Sequence, residues 1–152
     1  MVIRTKERIH PETGQRLVRG KRSMTLRYKG MKETVEMPGW YADDDSTGES
    51  GLHDARDMRV SDLAINRMKS REKGFYSPEQ IRHIRKRKLG LTQQKAGLLI
   101  GGGQNAFQKY ESGEVIISKA LNNLLKLLAN DPSRFDEIID NQTAKLNEPL
   151  TQ

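Results

Sequence analysis

The sequence predicts a mainly α protein: a five-helix C-terminal domain built on a helix-turn-helix, preceded by a small α+β domain that contains a β-hairpin. Three observations predict it. Residues 91–113, LTQQKAGLLIGGGQNAFQKYESG, form two short segments with apolar faces around three consecutive glycines, the layout of two helices joined by a tight turn. Leu121, Leu124, Leu125 and Leu128 recur at i, i+3, i+4 and i+7, the stripe of an amphipathic helix. Residues 24–37, MTLRYKGMKETVEM, place apolar and polar side chains in alternation around Lys29-Gly30, which fits two strands and a turn.

In chain order, the hairpin comes first. Met24, Leu26 and Tyr28 share a face of its first strand, Thr34, Val35 and Met37 suit the second, and Pro38-Gly39 is expected to end it. Residues 42–57 carry Asp43, Asp44, Asp45, Glu49, Asp54 and Asp57 against Arg56 alone; with little to bury, they are expected to form a loop. A helix is expected over 60–72, capped by Ser61, with Leu63, Ala64 and Met68 along one side and Gly74 as a break. Together these elements make a basic N-terminal domain over residues 1–72.

The second domain is expected over 73–140. Ser77-Pro78-Glu79-Gln80 combines an N-cap serine, a proline in the first turn and a glutamine three residues past the cap. The helix it opens turns Ile81, Ile84 and Lys88 inward and stops near Gly90. Thr92 caps the next helix, which runs to about Ile100. The glycines at 101–103 make a tight turn, since the run lacks the following Lys and Ser/Thr of a P-loop. A helix over 104–112 comes next, ended by Gly113. Ser118 then opens the leucine-rich helix. Asp131-Pro132 starts a last short one with Phe135, Ile138 and Ile139 as its apolar side. The polar tail, 141–152, is expected to fray.

Composition narrows the function. The chain carries a formal net charge of +7 in 152 residues with only 34% hydrophobic side chains, and its pI is about 9.7. A polyanionic partner fits this balance; the ordinary alternative is a charge that serves solubility. Nine Lys/Arg fall in residues 1–30 against Glu7 and Glu12. The absence of cysteine excludes disulfides and thiolate metal sites. No apolar run reaches membrane-spanning length, and the start MVIRTKERIH lacks a signal peptide's apolar core, so a cytoplasmic protein without membrane contact is expected. His10, His53 and His83 are scattered without nucleophile–base spacing, which argues against an enzyme.

The 104–112 helix carries the sharpest expectation. On a helical wheel Gln104, Asn105, Gln108 and Lys109 span an arc of about 140°, while Ala106, Phe107 and Tyr110 can pack on Ala96, Leu99 and Ile100. Asn and Gln can bond adenine N6 and N7, and a cationic side chain can reach guanine O6 and N7. These four residues are the candidate base contacts. Thr92, Gln93 and Gln94, at a helix start whose free N–H groups favour an anion, are candidate phosphate contacts. For Arg82, Arg85, Lys86 and Arg87 a solvated face and phosphate contact both stand open; Arg82 and Lys86 are the phosphate candidates.

At these residues the chain resembles the MqsA-type (YgiT-type) antitoxins, DNA-binding partners of bacterial type II toxin–antitoxin systems. LTQQKA, GGGQNAFQKYESGEV and NDPSRFDEI carry the resemblance over roughly residues 77–140. It implies an Xre/Cro-like domain that dimerises and binds a palindromic operator on double-stranded DNA. It also implies that the Asn of GGGxNAF and the basic residue four positions later read bases; those positions are Asn105 and Lys109. The family usually has arginine at the second, so Lys109 departs from its pattern. PETGQRLVRG, MTLRYKG and MPGWY extend the resemblance into the N-terminal half. There, family members bind zinc through two Cys-x-x-Cys pairs; the matching positions are His10, Thr13, Ala42 and Asp45, so no metal and no other cofactor is expected. His10, Asp45 and His53 are the nearest to alternative ligands. The implied function is a dimeric repressor, the antitoxin of a toxin–antitoxin system that represses its own operon. A toxin would meet either the basic N-terminal domain or the acidic loop, which otherwise is a solvated linker. The alternative is a stand-alone helix-turn-helix regulator without a toxin.

Overall fold

The computed structural model of the chain describes residues 6–139, and two compact units divide between Lys69 and Ser70. The first holds an antiparallel sheet of order β1-β2-β3, with β1 at Glu7–Ile9, β2 at Arg16–Tyr28 and β3 at Met31–Tyr41. The hairpin turns at Lys29-Gly30, both at positive φ (44° and 79°), as a two-residue turn matched to strand twist requires. Its strands run far past the 24–37 that alternation predicted, and Pro38-Gly39 does not end them. The reason is the edge position of β3. Within a strand a residue's N and C=O point to the same side, and the Pro38 carbonyl faces His53 Nδ1 at 2.9 Å rather than β2. Its missing N–H therefore costs no ladder bond. Trp40 faces outward in the same way and pairs with Leu52.

The acidic segment is more structured than its composition suggests. The Asp45 carboxylate accepts hydrogen bonds from Gly48 N at 2.9 Å and from Ser50 N and Oγ at 3.3 and 3.0 Å. Helix α1, Ala55–Glu72, starts five residues before the expected 60 because Asp54 and Asp57 cap it reciprocally. Asp54 Oδ1 accepts from Asp57 N at 2.9 Å, and Asp57 Oδ2 from Asp54 N at 3.1 Å. Ser61, the expected cap, lies inside the helix and donates to the Met58 carbonyl. Leu17, Val35, Met37, Tyr41, Ala64 and Met68 are buried in this unit, and Tyr41 Oη donates to the Met37 carbonyl.

Asp57 is buried as well, paired with both terminal nitrogens of Arg19 at 2.8 and 2.9 Å. The Arg19 guanidinium, helped by the Asp54 N–H and opposed by burial, holds the Asp57 carboxyl down at about 2 against an ordinary 3.8. A depressed folded-state pKa stabilises fully above the unfolded value, and the contribution disappears as pH falls through the folded one. Between about pH 4 and pH 2 the wild type should therefore lose ~2 kcal/mol more than an Asp57→Asn variant. Urea titrations across that window measure it; parallel losses in the two proteins would refute the assignment.

The second unit agrees closely with its capping signals. Helix α2, Pro78–His83, opens on the capping box, with Gln80 N donating to Ser77 Oγ and Ser77 N to Gln80 Oε1. It continues as one π-helical stretch, Ile84–Lys88, in which Leu89 N reaches back to Ile84 O. The wider turn rotates residues 88 and 89 about the helix axis relative to a regular α-helix. Leu89 packs on the core where Lys88 was expected, and Lys88 is exposed. Helix α3, Gln93–Ile100, is capped by Thr92, and α5, Lys119–Asn130, by Ser118. Between them α4 spans Ala106–Ser112, two residues shorter at its start than expected. After α5, Pro132–Arg134 make a 3₁₀ turn and 135–139 are helical, with Phe135 buried. Ile81, Ile84, Ala96, Phe107, Ile117 and Leu125 form the core. The tail expected to fray lies outside the described residues.

Candidate nucleic-acid interface

Helix α4 is fixed from its inner side. Phe107 is fully buried and meets Tyr110 edge-on, ring centroids 5.4 Å apart; Ala106 is buried beside it. With that side locked, Gln104, Asn105, Gln108 and Lys109 are all exposed. They do not share one helix, however. Gln104 and Asn105 belong to the turn into α4, with Asn105 at the N-cap position and its side chain making no capping bond. The wheel argument holds only for Gln108 and Lys109. Gln104 is held from α3 instead, its Oε1 accepting from Gln94 Nε2 at 3.2 Å.

The other candidates divide. Thr92 is exposed, and its Oγ1 accepts from Lys95 N, so it acts first as a cap. Gln93 leans inward, its Nε2 3.3 Å from Glu111 Oε1. Arg82, Lys86, Arg87 and Gln94 are exposed. Arg85 is no surface cation at all. Its side chain is 9% exposed, that of Glu111 5%; Arg85 Nε and Nη2 donate to the two Glu111 oxygens at 2.7 and 2.8 Å, and Nη1 to the Leu91 carbonyl at 2.7 Å. The pair ties the π-helical stretch to α4 and to the residue just before the Thr92 cap. Sequence reasoning missed it because Arg85 sits in a run of cations; the signal was Glu111, the sole acid of α4.

At the four positions that the resemblance pairs with metal ligands, the side chains and carbonyls make other contacts. His10 Nδ1 accepts from Glu12 N and Thr13 N at 3.1 and 3.4 Å. Ala42 offers no ligand atom, and its carbonyl accepts from Arg22 Nη2. The Asp45 carboxylate is occupied by its own loop, while its carbonyl takes Arg22 Nε at 2.6 Å. Among the described residues no three His, Cys, Asp or Glu side chains gather as ligands. The turns after His10 and Asp45 are closed by backbone N–H groups that donate to the side chains of these two residues.

Fold and site together define a class: a small antiparallel sheet with a long helix, then a helical unit that presents amide and cationic side chains around a short helix. Residues 11–139 match the family described as the antitoxin component of bacterial toxin–antitoxin system, MqsA, and the chain belongs to that family. It is 42% identical over 62 residues to antitoxin MqsA of Escherichia coli (strain K12), covering 41% of this chain and 47% of that protein. The chain thus spans about half the length of that relative. Among the described residues no helix is long and apolar enough to cross a membrane.

Proposed function

We propose that this chain is the antitoxin of a toxin–antitoxin system and a sequence-specific DNA-binding repressor of its own operon. In this reading α3, the turn at 101–105 and α4 form a helix-turn-helix that seats α4 in the major groove. The observation that carries it is the exposure of Gln104, Asn105, Gln108 and Lys109 around a helix locked from behind by Phe107. These side chains read base edges; Asn105 and Lys109 carry most of the readout. Thr92 and Gln94, with Arg82 and Lys86, fix the phosphate backbone and set register. Gln93 contributes less, since its amide is engaged with Glu111.

Residues 73–140 act as the DNA-binding and dimerisation domain and residues 1–72 as the domain that meets a toxin, in the cytoplasm and without catalysis. A groove of about 240 Å³ lined by Leu124, Leu127, Leu128 and Ile138 together with Arg134 and Glu137, with Leu127 56% exposed, supports a homodimer contact. A two-fold dimer binds two half-sites about one helical turn apart. A footprint of the full chain on its own promoter should show two protected half-sites related by dyad symmetry. No protection above that on unrelated DNA would contradict the proposal.

A further inference from the structure

Gln94, in the first turn of α3, and Gln104, in the turn before α4, stand on opposite sides of the three glycines, and the fold fixes the distance between their backbones. The Gly97 carbonyl accepts from Gly101 N and Gly103 N at 3.1 and 3.2 Å, and a Cβ at Gly97 would lie 3.4 Å from Gln104 Cα. Across this closure Gln94 Nε2 donates to Gln104 Oε1 at 3.2 Å. Both side chains are exposed, so in the free protein water competes for the bond and its net contribution to stability is small. The same bond gains strength where a bound ligand excludes water. Its weight therefore falls on recognition rather than on folding.

The bond decides what Gln104 offers to a base. A glutamine amide carries an acceptor at one end and two donor hydrogens at the other, and turning it over exchanges them. With Oε1 held by Gln94, the end of Gln104 left to a base is its NH2 group. In the major groove the acceptors are N7 of either purine, O6 of guanine and O4 of thymine, whereas cytosine presents an amino donor. Gln94 Nε2 keeps a second hydrogen, which suits the phosphate contact proposed for it. We infer that Gln94 is a positioning residue for base recognition: it orients the Gln104 amide so that Gln104 donates to an acceptor on a base edge and rejects cytosine. The inference rests on the reading of α4 and its preceding turn given above.

The test uses the full-length chain and promoter duplexes in which each base pair of the half-site is replaced in turn, with every affinity taken relative to a scrambled duplex. Gln104→Ala should flatten the preference at one base pair, which locates the base that Gln104 faces. Gln94→Ala should weaken the preference at that same base pair by about 2- to 10-fold, the range for one net hydrogen bond, and leave the other positions unchanged. The double variant should lose no more there than Gln104→Ala alone, because the two side chains act as one unit. Gln94→Lys, which can donate to Oε1 but cannot accept, should restore the preference. Equal weakening of all duplexes by Gln94→Ala overturns the inference and leaves Gln94 a phosphate contact only. Failure of Gln94→Lys to restore the preference overturns it as well, as does cytosine as the preferred base at the Gln104 position. If Gln104→Ala alters no position while Asn105→Ala still lowers the preference for promoter DNA, the inference falls and the reading of α4 stands. A wild type without any preference for promoter DNA removes both.

Discussion

Arg85→Met is expected to destabilise the second unit by about 3–5 kcal/mol, the range for removing one partner of a buried ion pair. The substitution leaves the Glu111 carboxylate, 5% exposed, with Gln93 as its remaining side-chain donor. It also strips the Leu91 carbonyl of its bond from Arg85 Nη1. A buried acceptor without a partner keeps its full desolvation penalty. For a domain of this size the loss amounts to more than ~10 °C in melting temperature. Replacing both members, Arg85→Met with Glu111→Leu, should recover much of it, because a well-packed apolar pair avoids the stranded charge. Thermal and urea unfolding of the three proteins decides the matter. A cost below about 1 kcal/mol for Arg85→Met would show that the pair is solvated and does not hold α4 in place.

Gly97→Ala is expected to damage both stability and DNA binding through a single methyl group. A Cβ on Gly97 would lie 1.8 Å from the Gly103 carbonyl oxygen and 2.8 Å from its carbon. These are backbone atoms of the glycine turn, not the end of a flexible side chain, so the turn itself has to move. The same turn is tied back to Gly97, whose carbonyl accepts from Gly101 N and Gly103 N at 3.1 and 3.2 Å. Overpacking of this kind costs about 1–3 kcal/mol, and sometimes more. Moving Gly103 also moves Gln104 and Asn105, so affinity for promoter DNA should fall although no proposed contact residue has changed. The neighbouring Leu98, 59% exposed, supplies the control: Leu98→Ala should stay within ~0.5 kcal/mol of wild type. Melting curves and promoter binding of the two variants, measured together, would refute the close approach if they matched.

How much the sequence disclosed depends on the range of the interactions involved. Ser77, Thr92 and Ser118 cap where expected because a cap is settled within four residues. The leucines of α5 and the turn at Lys29-Gly30 are equally local. The extent of the hairpin was not legible: residues 16–23 are largely polar, and Pro38-Gly39 is a turn signal that only an edge position neutralises. The start of α1 hid in the acidic segment, where Asp54 and Asp57 look like more of the same charge until their reciprocal bonds are seen. The π-helical stretch accompanies the packing of Leu89 against the core, and no periodicity announces it. At the candidate interface the residue types pointed to the four exposed side chains. The ion pair beneath them joins positions 26 residues apart and was lost among the surface cations.

Whether the α4 region reads sequence is decided by a competition measurement with full-length wild type and Asn105→Ala, on promoter DNA against a scrambled duplex at fixed salt. The wild type should show a clear preference for promoter DNA. In the variant that preference should shrink by about 1–3 kcal/mol while binding to the scrambled duplex stays nearly constant. Equal affinity for the two duplexes in both proteins would contradict the proposed readout.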